Sequence, residues 1–320
     1  MDLAPFRWQD GERLIAFGRG SIAQADELIG AGYALLTTER GAAQAPDVVA
    51  RAESVIYVGL GRVDELSADL RPLVDGELVA LGGGRVIDVA KALAAADPPR
   101  RVAAIPTTLS GAEMTAIHRH ATGVKADSPR VRPAIVLNDP ALSASQAVPE
   151  LAASALNALG HAIEGPLTPL SNPVARLAAT EATRLIADGF GAPEPDRDAL
   201  ALGALLAGYV IGSTGYGLHH VLSQTLVRFA GVGHGSANAV MLAHSLVALK
   251  RRFPEAVPQE LTVLAARLCE LTGTMRLRDL GVTEEQLDRC AEEAATRPEL
   301  HMTAPAADRG ELRALYELAY

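Results

Sequence analysis

The hydrophobic periodicity of the chain changes once, near residues 145–150, and that change constrains the fold more than any other feature. Before it, short continuous apolar runs alternate with helical patterns. LIAFG (14–18), YALLTT (33–38), SVIYVGL (54–60), ELVALGGG (77–84) and RVAAIPTT (101–108) read as strands. SIAQADELIGAG (21–32) and RVIDVAKALAAA (85–96) read as helices. Strands that are apolar throughout and separated by helices form a parallel sheet covered on both faces. After IVLNDPAL (135–142), and from Val148 onward, only helical periodicity and Ala/Leu-rich stretches remain. The expected fold is an α/β domain of the nucleotide type over residues 1–148 and an all-α domain over 149–320, with a cleft between them. A chain of 320 residues is too long for one ordinary core, and 49% hydrophobic content can fill two.

Several classes are disfavoured. The formal net charge is -9 and the Lys and Arg residues are scattered; a nucleic-acid partner would call for a basic stripe. The two cysteines, Cys269 and Cys290, form no CxxC pair and read as reduced thiols of a cytoplasmic protein. The opening MDLAPFRWQDGERL is too charged for a signal peptide. Residues 199–218 are uncharged and long enough to span a bilayer. They are also rich in Gly and Ala and run into His219 and His220, as a helix buried in a large core would. The expectation is no membrane span.

Gly82, Gly83 and Gly84 follow the strand ELVAL and open the helix RVIDVAKAL. Glycines let backbone approach a pyrophosphate closely, and the free amides at the helix start favour the anion. A tight strand–helix turn without a ligand has the same composition. Asp88 and Lys91, early in that helix, either touch a cofactor or form a solvated face. The strand RVAAI runs into Thr107, Thr108 and Ser110, whose hydroxyls suit a nicotinamide or ribose, or simply cap a turn. Glu39 after YALLTT could hold a ribose hydroxyl, favouring NAD, and Arg40 a 2′-phosphate, favouring NADP.

Half of the eight histidines fall in three helical places: His161 with Asn157 one turn before it, His219–His220, and His234. Imidazoles on different helices can converge on a metal, or serve acid–base chemistry, in a bundle core. His118 and His120 remain open as cleft residues.

Taken in order, these segments resemble the iron-containing alcohol dehydrogenase superfamily, which shares the dehydroquinate synthase-like fold. Within it they look most like the maleylacetate reductase branch. LGGGRVIDVAKALA resembles the family's GGGS-xx-D-xAK turn, with Arg85 for Ser; IPTTLSGAEMT resembles PTTYAGSEMT; SALNALGHAIEG resembles SGLNAIAHAVE; GLHHVLSQTL resembles LHHKLCHxLGG. The resemblance implies a dinucleotide-binding α/β domain, with NADH or NADPH on Gly82, Gly83, Gly84, Asp88, Thr107, Thr108 and Ser110. It also implies a homodimer acting in aromatic-compound catabolism. In metal-dependent members an Asp and three His hold iron or zinc; here those positions are Asn157, His161, His220 and His234. Asn157 departs from the metal pattern and matches the metal-free branch, so the metal site is expected to be degenerate. Gln224 stands where both branches usually carry His, and VGHGS around His234 is closer to the alcohol dehydrogenases.

The expected activity is an NAD(P)H-dependent reduction of a small carbonyl or conjugated oxo-acid, as of maleylacetate to 3-oxoadipate. In that reading His161 and His220 stabilise the substrate oxygen, and His219 or His234 delivers a proton. Asn157 also contacts the substrate, and Lys125, Arg119 or Arg228 holds a substrate carboxylate or is a surface charge. The alternatives are a metal-dependent alcohol or aldehyde dehydrogenase and, from another class, a catalytically degenerate nucleotide-binding protein.

Overall fold

The computed structural model describes residues 4–320. Two compact units divide the chain: the residues up to Ser145 together with Ala192–Gly208, and Gln146–Gly191 together with Tyr209–Tyr320.

The first unit carries a seven-stranded sheet in the order β1-β2-β7-β6-β5-β3-β4. Its strands are β1 (Phe6–Asp10), β2 (Arg13–Phe17), β3 (Tyr33–Thr37), β4 (Ala52–Tyr57), β5 (Leu78–Gly82), β6 (Val102–Pro106) and β7 (Ile135–Asn138). Strand β1 is antiparallel to β2, and the other pairings are parallel. Every residue of β3, β5 and β6 is buried, so these central strands read as continuous apolar runs. The helices of this part are α1 (Ala25–Leu28), α2 (Glu39–Gln44), α3 (Pro46–Ala50), α4 (Val63–Leu70) and α5 (Gly84–Ala96). The helix read over 21–32 is shorter than expected: a 3-10 turn runs into α1, and Gly30 and Gly32, at φ +77 and +80, end it. Strand β4 is added on one side of β3, whereas β5, β6 and β7 are added on the other, so the chain reverses its direction of travel between β3 and β5. A ligand crevice forms at such a reversal, beyond the carboxyl ends of the strands. The Gly82–Gly84 turn stands there.

The helical chain that follows comprises α6 (Val148–Glu164), α7 (Pro173–Gly189), α8 (Arg197–Thr214), α9 (Leu218–Phe229), α10 (His234–Arg252), α11 (Gln259–Leu271), α12 (Glu284–Ala295) and α13 (Arg309–Ala319). Helix α6 is buried almost all round, from Ala155 through Glu164. The expected all-helical domain needs one correction. Residues 192–208, which include the first part of α8, group with the sheet unit. The reason is steric. Gly111, at φ +71, meets Gly208 of α8 so closely that a Cβ on Gly208 would lie 2.7 Å from the Gly111 carbonyl oxygen and 3.0 Å from Met114 Cβ. Among the described residues no single helix is long and apolar enough to cross a membrane. Helices α8 and α9 pass that test only as a pair, and they meet at a bend of 98°.

Gly208→Ala is expected to lower the unfolding free energy by about 2 kcal/mol through overpacking. Gly59→Ala, where an added Cβ meets nothing within 4 Å, should leave it unchanged. Urea denaturation of both variants checks this.

Candidate active site

In the sheet unit, the glycine turn and the end of β6 lie side by side. The Thr107 amide donates to the Gly82 carbonyl at 3.0 Å. A Cβ on Gly83 would meet Thr108 Cγ2 at 3.0 Å, and one on Gly84 would meet Ser110 Cβ at 3.0 Å. Helix α5 starts at this turn with no side-chain cap on its first amides. Unsatisfied amides at the start of a 13-residue helix, pressed against one hydroxyl-bearing loop, fit a pyrophosphate. A small pocket just beyond is lined by Thr107, Thr108, Asn138 and Asp139. Glu39 and Arg40 stand exposed in the first turn of α2, at the end of β3.

Asp88 and Lys91 are arranged differently from expectation. Lys91 is fully buried, not on a solvated face. Its Nζ donates to the carbonyls of Ala112 (2.9 Å), Thr115 (3.2 Å) and Ile117 (2.9 Å), and pairs with Asp88 Oδ1 at 2.7 Å. One oxygen of Asp88 is thereby committed to Lys91, and the pair fixes the loop that carries Ser110. His118 is a loop tie: its Nε2 accepts from the Val131 amide at 3.1 Å, and burial pushes its pKa down to about 4. Lys125 lies exposed in the 122–127 loop, and Arg119 faces Asp64 Oδ2 at 3.8 Å.

In the helical unit, three helices bring histidines together. His161 on α6 and His220 on α9 stack with ring centroids 4.7 Å apart, and His219 meets His220 edge-on at 4.8 Å. The close approach of α9 to α6 depends on Gly160, where a Cβ would stand 2.8 Å from His219 Nε2. Helix α10 adds His234 at its first residue, exposed and within electrostatic range of the other three. Asn157 is buried one turn before His161.

Sequence reasoning gave no role to the residue that organises this cluster, Glu164. Its buried carboxylate sits at the end of α6 and receives the start of α9. Oε1 accepts the His219 amide at 2.6 Å; Oε2 accepts the His220 amide at 3.3 Å and His220 Nδ1 at 2.7 Å. Both oxygens already accept backbone N–H, so the ring proton belongs to His220 Nδ1 and the lone pair to Nε2. Burial raises the Glu164 carboxyl above its ordinary range, while the His219 ring and the backbone amides of Gly217, His219 and His220 pull it back. Burial drives His219 and His220 down to about 3 and His161 well below its usual value, so these three rings are neutral near pH 7.

Two expected roles change. His219 has no exposed surface, and its Nδ1 bonds Ser245 Oγ at 2.9 Å. The Ser245 hydroxyl is committed to the Leu242 carbonyl at 3.0 Å, so His219 donates to it and braces α10. Arg228 is exposed on α9 with its guanidinium over the Phe229 ring, 5.1 Å from the centroid.

The family model of the Fe-containing alcohol dehydrogenase family, C-terminal part, matches residues 151–320. The chain belongs to the iron-containing alcohol dehydrogenase family. It is 31% identical over 315 residues to a maleylacetate reductase of Sphingobium indicum, covering 89% of each chain. The solved maleylacetate reductase of Agrobacterium tumefaciens superposes with a TM-score of 0.82 at 27% identity, covering 99% of both chains. The iron-containing alcohol dehydrogenase of Corynebacterium glutamicum superposes with a TM-score of 0.82 at 25% identity, covering 100% of this chain and 97% of that one. The family is one of NAD(P)H-dependent oxidoreductases, so the degenerate nucleotide-binding alternative gives way to an enzyme. The metal in the family's name is a separate matter. The rings of His161 and His220 are stacked with their planes 24° apart, so their in-plane lone pairs run in neighbouring planes. Among the described residues no three His, Cys, Asp or Glu are arranged to hold a metal. The donors as placed do not fit one, and no step below is routed through it.

Neutral buried histidines set the pH dependence of stability. Between their ordinary pKa and about 3, the unfolded chain binds protons that the folded chain does not, so stability falls as pH drops through that window. His219→Gln removes one such group and should flatten the slope by about 1.4 kcal/mol per pH unit. Denaturation curves of parent and variant from neutral to acid pH measure it; equal slopes would contradict a neutral, buried His219.

Proposed function

We propose that this oxidoreductase reduces a small conjugated oxo-acid with NADH or NADPH, in the manner of a maleylacetate reductase, converting maleylacetate to 3-oxoadipate. One observation carries the reading: a buried neutral amide, Asn157, stands one turn before His161, where metal-dependent members carry a charged carboxylate. The maleylacetate reductases among the similar proteins support it. The same reading makes the protein a cytoplasmic homodimer of aromatic-compound catabolism, with a dicarboxylate substrate.

The nicotinamide cofactor supplies the hydride when bound. The chain supplies the remainder. The Gly82–Gly84 turn and the first amides of α5 bind the pyrophosphate, and Thr107, Thr108 and Ser110 orient the ribose and nicotinamide side. Hydride addition to the C=C of a conjugated ketone moves charge to the carbonyl oxygen, which calls for a donor. His220 is not that donor, because Glu164 leaves its Nε2 as an acceptor. His161, whose Nδ1 is buried without a hydrogen-bond partner, takes this role from its other ring nitrogen, with Asn157 beside it. His220 Nε2 holds the hydroxyl or water that carries the proton to the product carbon. The exposed His234 exchanges protons with solvent.

Turnover of maleylacetate with NADH or NADPH, before and after exhaustive chelation, tests the reading. The expected result is product formation that survives chelation. Loss of activity restored by iron or zinc would instead make the chain a metal-dependent alcohol dehydrogenase. Gly83→Val should raise the cofactor KM about tenfold or more by filling the turn, in a variant that keeps its circular dichroism; an unchanged KM would move the cofactor elsewhere.

A further inference from the structure

Arg297 stands half-buried one side chain away from the histidine cluster, behind Tyr216. Tyr216 precedes α9, and its ring lies 5.9 Å from that of His220. The Tyr216 hydroxyl donates to Glu299 Oε1 at 3.2 Å and accepts from Arg297 Nη2 at 3.1 Å. The same Nη2 donates to Gln224 Oε1 at 3.1 Å, and Nε donates to Glu299 Oε2 at 2.9 Å. Gln224 is one turn beyond His220 on α9, on the same face. The guanidinium is therefore tied to His220 by two routes, through the Tyr216 ring and through α9 itself.

A guanidinium carries five N–H donors in a rigid fork. Glu299, Tyr216 and Gln224 take Nε and both hydrogens of Nη2. Among the described residues Nη1 meets no acceptor, and it is not one of the buried atoms left without a partner; the side chain is 19% exposed. Three acceptors thus lock the fork and leave one edge presented to accessible space. Gln224 fits this arrangement because its amide oxygen accepts from a cation, which a protonated imidazole at that position could not do. Glu299 balances the charge while no anion is bound, so the arginine can stay half-buried in the free enzyme. By contrast, Lys125 is exposed and Arg228 is stacked on Phe229.

We propose that Arg297 is the carboxylate-recognition residue of this enzyme: its Nη1 edge binds one carboxylate of an oxo-dicarboxylic substrate whose carbonyl lies at His161. The proposal rests on the reduction of such an acid by this site. It makes the Gln224–Arg297–Tyr216–Glu299 group a specificity device, selecting a substrate with an anion at one end over an uncharged ketone of the same reactivity.

The test compares maleylacetate with an uncharged conjugated ketone, pent-3-en-2-one, in the full-length enzyme. Arg297→Gln should lower kcat/KM for maleylacetate about tenfold or more, through KM, the effect of losing a charge-assisted hydrogen bond. The loss on the enone, which has no carboxylate, should be several-fold smaller, and the KM for NAD(P)H should stay within about twofold. Arg297→Lys should recover part of the discrimination, because it restores the charge without the fork. Glu299→Gln should act in the opposite direction and lower the KM for maleylacetate, since it removes the competing anion; a purely structural group would not show this sign. Equal losses on both substrates, or no change in either, would overturn the proposal. If Arg297→Gln does not fold, the Lys and Glu299 variants carry the same comparison. A parent enzyme that reduces the enone but not maleylacetate would overturn both this assignment and the proposed function. Parent turnover of maleylacetate with an indifferent Arg297 would overturn this assignment alone.

Discussion

A carboxylate buried between two helices is the constraint on which the candidate site depends. Glu164 ends α6 and meets the first amides of α9, where the unpaired N–H groups and positive end of a helix favour an anion. A buried charge is costly unless it is fully hydrogen-bonded. Here the amides of His219 and His220 and the His220 ring share that task. Several features follow. Helix α9 must approach α6 closely, so position 160 has no room for a Cβ. His220 is fixed in one tautomer. His219, one residue earlier, packs edge-on against His220 and braces α10 through Ser245.

The sheet unit solves the reverse problem with buried cations. The loop after β6 carries hydroxyls that must lie against the glycine turn, and its only regular structure is the 3-10 turn Ala112–Met114. Lys91 reaches up from α5 and gathers three of its carbonyls. Arg13 from β2, also buried, donates to the carbonyls of Pro133 and Glu113. The helix start at Gly83 is left without a side-chain cap while its flanks are rigid. That combination is pre-organisation for an anion.

Much of this was legible from the sequence, for physical reasons. Central parallel strands are apolar on both faces, so β3, β5 and β6 stand out without any knowledge of pairing. The glycine turn is local, and its neighbours in the chain are its neighbours in space. Less of the edge was legible: β1, with Arg7, Gln9 and Asp10 in a five-residue strand, lacks the apolar signal that burial imposes. Tertiary assignments were harder still. Glu164 lies three residues after His161, on the same helical face, and that spacing was a usable signal; its role depends on where α9 begins. Lys91 has the spacing of a surface i,i+3 pair with Asp88, and only packing shows that it is buried. The adjacent histidines 219 and 220 look alike in sequence, yet consecutive residues of a helix diverge by about a quarter-turn or more, so they take different partners, Ser245 for one and Glu164 for the other. Arg297 meets Gln224 across 73 residues of chain, which no local pattern reports.

The central claim is that burial keeps His220 neutral while Glu164 fixes its tautomer, with the proton on Nδ1 and the lone pair on Nε2. Nitrogen-15 NMR of histidine-labelled protein, with His220 assigned by difference from a His220→Gln variant, reads this directly. At neutral pH the account predicts an imidazole protonated on Nδ1 alone, unchanged when the pH is lowered through the ordinary histidine range. A ring protonated on Nε2, or on both nitrogens in that range, would contradict it.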